Sequence, residues 1–130
     1  MCDSKTRVVV IDKHQPLLQA ITHYLQHNKT MQVVGATVDL EEGFSLIAQH
    51  QPDVVIIDPF AFDLNGRGNL VSYVRETAPA IVVIIMSSFE IPLHTQLDLC
   101  SGANAYIMKT VLYENLIPTI NRCVQPAIES

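Results

Sequence analysis

Five short apolar runs, each followed by a segment of helical periodicity, restrict this chain more than any other feature. The runs are Val8–Ile11, Met31–Gly35, Val54–Asp58, Ile81–Met86 and Ala105–Met108. Val and Ile dominate them, and apolar residues do not alternate with polar ones. Such runs suit strands buried on both faces, which is the condition of a parallel sheet covered by helices. Between the runs, Leu17, Leu18, Ile21, Tyr24 and Leu25 recur at helical spacing, with Pro16 tolerated in the first turn. Phe44, Ile47 and Ala48 mark a second helix that ends before Pro52; Leu70, Val71 and Val74 mark a third. Leu93, Leu97 and Cys100 mark a fourth, opened by Pro92. Leu112, Leu116, Ile117, Ile120, Cys123 and Val124 mark a fifth, in which Pro118 removes a backbone hydrogen bond and is expected to introduce a kink. A strand–helix unit repeated five times predicts an α/β fold with a parallel sheet and right-handed crossovers.

At 130 residues, 48% of them hydrophobic and 16% charged, the chain is sized for one domain with a substantial core. We expect that domain to span residues 1–124, with 125–130 a linker or tail. The net charge of −5, with no cluster of Lys and Arg, argues against direct nucleic-acid binding. No apolar run approaches the roughly 18 residues of a membrane span, and MCDSKTR carries no secretory signal. Cys2, Cys100 and Cys123 are odd in number and lack CxxC spacing, as in a reduced cytoplasmic protein with one surface thiol and two packed against helices.

Open parallel sheets bind ligands at the carboxyl ends of their strands. There the first run is followed by Asp12, the third ends in Asp58, the fourth is followed by Ser87 and Ser88, and the fifth by Lys109. Each residue has an ordinary explanation: a helix cap for Asp12, turn chemistry for Asp58 before Pro59, a strand end for Ser87, a solvated charge for Lys109. Their recurrence at matching strand ends points instead to one polar rim. A carboxylate there can attack phosphorus. A lysine, a metal ion, a hydroxyl and the backbone N–H groups of Phe60 and Ser88 can hold the oxygens of the transferred group.

On the stretches VVVIDKH, QPDVVIIDPFAFDLNG, IVVIIMSS and GANAYIMKT, the chain resembles the receiver domain of bacterial two-component response regulators. MQVVGAT and GANAYIMKT make it similar to the NarL/FixJ type. The resemblance implies a flavodoxin-like, CheY-like doubly wound sheet of strand order 2-1-3-4-5 with five flanking helices. It implies Asp58 as phospho-acceptor, Lys109 as phosphoryl contact, Ser87 as the hydroxyl that moves to meet the group, and Tyr106 as the aromatic that follows it. Asp12 and the backbone carbonyl of Phe60 would contact Mg²⁺.

The departures from that pattern are specific. The second of the family's two adjacent acids is here Lys13. The usual Met and Pro after the acceptor are Ala61 and Phe62, and Pro59 takes a backbone donor from the acceptor loop. Asp12 and Asp58 against Lys13 and Lys109 sum to zero, where the family's three acids and one lysine leave −2 for a divalent cation. We therefore expect Lys13 to pair with Asp58 or Asp12 and stand in for the metal. Mg²⁺ binding and Mg²⁺-dependent phosphorylation are expected to be weak or absent.

The expected function is thus that of an atypical receiver, not an enzyme, which regulates transcription through protein contacts. A conventional phosphorylation-competent receiver and a flavodoxin-like small-ligand binder are the alternatives. Expected partners are a second copy or another protein, on the face of the fourth helix, fifth strand and fifth helix or that of the first and fifth helices, and a sensor histidine kinase. DNA would be reached only through a C-terminal domain outside these residues. Other motifs carry less. His23 and His27 have zinc-compatible spacing but no third ligand nearby, so a solvated helix face is expected. Gly66-Arg67-Gly68 lacks the third glycine and the position of a dinucleotide fingerprint. No GxSxG surrounds Ser87.

Overall fold

A computed structural model describes residues 5–61, 70–93 and 102–124. Five parallel strands form one sheet in the order β2-β1-β3-β4-β5: β1 (Thr6–Ile11), β2 (Met31–Thr37), β3 (Val54–Ile57), β4 (Val82–Ser87) and β5 (Ala105–Met108). The described helices are α1 (Gln15–Gln26), α2 (Leu40–His50), α3 (Leu70–Thr77) and α4 (Leu112–Val124). Helix α4 is the fifth helix of the sequence reading. Most of the fourth, with Leu97 and Cys100, lies outside the described residues, as do Cys2, the glycines at 66 and 68, and the tail from 125.

The central strands are buried on both faces, which is why their sequence does not alternate. Val8 and Val10 of β1 face one core with Leu18, Ile21 and Leu25 of α1 and Leu112, Leu116 and Ile120 of α4. Val9 and Ile11 face the other with Leu40 and Ile47 of α2 and Leu70, Val71 and Val74 of α3. Each fully buried Val, Leu or Ile contributes on the order of 1.5–3 kcal/mol, so both layers are anchored strongly to the sheet. Cys123 is a half-buried free thiol at the margin of the first core.

Local signals set the boundaries. Pro16 occupies the first turn of α1. The Asp39 side chain caps α2 by accepting from the Glu42 N–H at 3.0 Å, and Gln51 closes that helix in the left-handed region at φ 46°. Helix α2 approaches β1 closely at Gly43, where a Cβ would lie 2.7 Å from Ile11 Cδ1. Helix α4 continues through Pro118, which is exposed, so the carbonyl left without its usual partner can meet water.

Candidate functional site

Three strands end in polar residues that behave alike. Asp12 follows β1, Asp58 follows β3 and Ser87 ends β4. All three are buried. Each folds its side chain onto the backbone N–H two residues further on. Asp12 Oδ1 accepts from His14 at 2.8 Å, Asp58 Oδ1 accepts from Phe60 at 2.9 Å, and Ser87 Oγ accepts from Phe89 at 3.0 Å. These are the short turns that Asp and Ser make where a strand ends. The ordinary and the functional readings of the two acids therefore describe the same residues.

A carboxylate keeps one oxygen after making such a turn. Both spare oxygens meet Lys109, which opens a 3₁₀ turn (Lys109–Val111) directly after β5. Its Nζ lies 2.7 Å from Asp12 Oδ2 and 2.6 Å from Asp58 Oδ2. Among the described residues Asp12 Oδ2 has no aligned hydrogen-bond donor, and it is held by the ammonium's charge. Burial alone would lower the pKa of Lys109. The contacts with Asp12 and Asp58, and their charges, outweigh it and hold the ammonium above its ordinary value. The backbone fixes the spacing of the acids: Asp12 N–H donates to Thr37 O and Asp58 N–H donates to Ile11 O, each at 3.2 Å.

The cleft above this triad is about 430 Å³ and is lined by Asp12, Lys13, His14, Asp58, Phe60, Ser88, Phe89 and Lys109. The rings of Phe60 and Phe89 lie 5.1 Å apart and form one wall. The expected convergence of Asp12, Asp58 and Lys109 is thus present, with Ser88 beside them.

Three expectations need correction. Lys13 is exposed at the edge of the cleft, and among the described residues the ion pairs of both acids go to Lys109, not Lys13. Lys109 takes the spare oxygen of each acid, and the flexible stem of Lys13 carries its ammonium out to water. Ser87 does not line the cleft. Its single oxygen accepts from Phe89 N–H and donates to Phe89 O at 2.6 Å, and it borders a neighbouring hollow with Tyr106, Ile91 and Met108. The Phe60 N–H is taken by Asp58 and is not free for an incoming oxygen. Sequence reasoning also missed His14 and Phe89 as lining residues. The signal was available, since each stands two positions beyond a strand-end residue that makes such a turn.

Two acids that share one lysine at the carboxyl edge of a 2-1-3-4-5 sheet are the arrangement of a receiver-type signalling domain. The chain matches the response regulator receiver domain over residues 8–121, and it belongs to that family. It is 28% identical over 122 residues to a nitrate/nitrite response regulator protein homolog of Haemophilus influenzae, covering 93% of this chain and 58% of that protein. It is 27% identical to the oxygen regulatory protein NreC of Staphylococcus epidermidis, covering 92% of this chain and 55% of that one. The chain spans a little over half the length of these curated relatives. Among solved structures, the receiver domain of a NarL response regulator from Mycobacterium tuberculosis has a similar fold, with a TM-score of 0.80 at 24% identity over 94% of this chain and 98% of that one. An orphan response regulator of H. pylori superposes with a TM-score of 0.75 at 25% identity, covering 95% of this chain and 100% of that one. No described helix is long and apolar enough to cross a membrane.

Proposed function

We propose that this chain is an atypical receiver domain of a two-component system, one that signals through protein contacts with little or no Mg²⁺-dependent phosphorylation. The observation that carries this reading is the Lys109 ammonium, which occupies the spare oxygens of both Asp12 and Asp58 while the neighbouring acid position is Lys13. Mg²⁺, the ion the family implies, prefers a near-octahedral oxygen set. Asp12 Oδ2 and Asp58 Oδ2 would be its donors, with the Phe60 carbonyl that the family pattern implies. Two carboxylates whose spare oxygens already meet the Lys109 ammonium fit the ion poorly, because like charges within about 4 Å repel even at an effective dielectric near 20. Lys13 works against the metal by removing the third carboxylate and adding positive charge at the rim.

Asp58 remains the candidate acceptor, and Lys109 touches the oxygen that would carry the group. Ser88 borders the cleft, whereas Ser87 and Tyr106 stand beside it as a switch pair whose hydroxyl must leave Phe89 before it can reach the acid. Transcriptional regulation is the proposed output, by analogy with NarL-type relatives, with DNA contacts supplied by a domain outside these residues. A sensor histidine kinase, a protein partner and a cytoplasmic location belong to the same proposal.

The test is Mg²⁺ titration by calorimetry or NMR, with acyl-phosphate formation at Asp58 from a small phosphodonor, in wild type and Lys13→Asp. Wild type should bind Mg²⁺ weakly and phosphorylate slowly or undetectably, and Lys13→Asp should restore both. Ready phosphorylation of the wild type at ordinary millimolar Mg²⁺ would show a conventional phospho-switch.

A further inference from the structure

We propose that His23 and His27 are half of a zinc site that a second copy of the chain completes. The two residues stand one turn apart at the exposed end of α1, with ring centroids 4.3 Å apart and planes inclined at 62°. His27 Nδ1 lies 2.9 Å from the His23 carbonyl oxygen. A carbonyl only accepts, so Nδ1 is the donor in this contact and Nε2 is the nitrogen left for a metal. This backbone contact sets the tautomer as an outer-shell partner does for a ligating histidine. Two imidazoles at this helical spacing can share one ion, and nitrogen ligands of this kind suit Zn²⁺ rather than Mg²⁺.

One chain cannot finish the site. Among the described residues no three His, Cys, Asp or Glu side chains gather around a common point, whereas a structural zinc takes four ligands. A two-fold axis through the ion turns two histidines into four, and two-fold pairing is the commonest way for identical chains to associate. The ground beside the histidines suits a second copy. Ala20, Tyr24 and Tyr113 line the same surface cleft, and Tyr113 is 45% exposed. The tyrosine rings meet edge to face at 4.9 Å, and Tyr24 Oη donates to the Tyr113 carbonyl at 2.6 Å. That hydroxyl is therefore committed, and the pair offers a fixed aromatic shoulder for packing rather than a competing ligand. The site lies on the α1/α4 side, so this inference is independent of the metal and phosphoryl chemistry proposed for the cleft.

Sedimentation of the purified chain with zinc chloride, and again after EDTA, tests the proposal. The expected result is a doubling of mass at half a zinc per chain, reversed by EDTA. His23→Ala and His27→Ala should each abolish the doubling while leaving the circular dichroism spectrum unchanged, since both side chains are exposed. His14→Ala and Cys123→Ser should retain it, which excludes the cleft and the Cys123 thiol as the source. A mass unchanged by zinc, one zinc per chain without pairing, or doubling that survives both α1 substitutions overturns the proposal.

Discussion

The ends of β3 and β4 differ by one oxygen, and that difference separates a finished part of the site from an unfinished one. Asp58 and Ser87 both spend an oxygen on the N–H two residues ahead. Asp58 has a second and gives it to Lys109; Ser87 has none left and returns its proton to the Phe89 carbonyl. The acid side of the cleft is therefore assembled in this state, while the hydroxyl side is closed on its own loop. Any signal that recruits Ser87 to the cleft must first replace two hydrogen bonds, whereas one that engages Asp58 must compete with an ammonium.

The strongest way to break the contrast is Lys109→Met. It leaves two buried carboxylates without a counter-charge, and loss of one partner from such a set costs about 3–5 kcal/mol. Urea denaturation should show that loss, and Asp12→Asn in the same chain should recover part of it. A change below about 1 kcal/mol, the range of surface pairs, would mean that water already solvates the acids. Ser87→Ala should cost less, about 1 kcal/mol for a turn whose partner groups are near solvent. It should leave the Lys109 resonances in place, because the triad does not include the hydroxyl. Shifted Lys109 resonances would show that the two sides are coupled at rest.

The smallest effect is on pH dependence. The pKa of Lys109 is raised in the fold, so its contribution is complete below the unfolded value of about 10.4 and is lost as pH rises through the higher folded value. The stability difference between wild type and Lys109→Met should be flat from about pH 7 to 9 and shrink only above about 10.4. Shrinkage already near pH 8 would mean that the ammonium is not held by the two acids.

Much of this architecture could be read from residue types. Val8–Ile11 and Val54–Ile57 lack alternation because both faces are covered, so burial itself wrote the pattern that located the strands. Asp12, Asp58 and Lys109 followed from strand ends alone, since a parallel sheet brings those ends to one edge. Side-chain direction was not legible. Ser87 and Ser88 are adjacent hydroxyls, and only the turn to Phe89 decides which one faces the cleft. Lys13 follows a buried acid in sequence, yet its flexible stem lets it face water while Lys109 takes the acid's spare oxygen. The partner of each acid depended on Lys109, about fifty residues or more away in the chain, and pairwise choices of that kind have no periodicity to read.

Gly43 ties the site to a position that touches none of its polar groups. A side chain there would press on Ile11, and Ile11 immediately precedes Asp12. The carboxylate's placement is thus inherited from how closely a helix on the far side of the strand can approach. In a map of mutational tolerance, residue 43 should appear as restricted as the acids themselves, although it performs no chemistry.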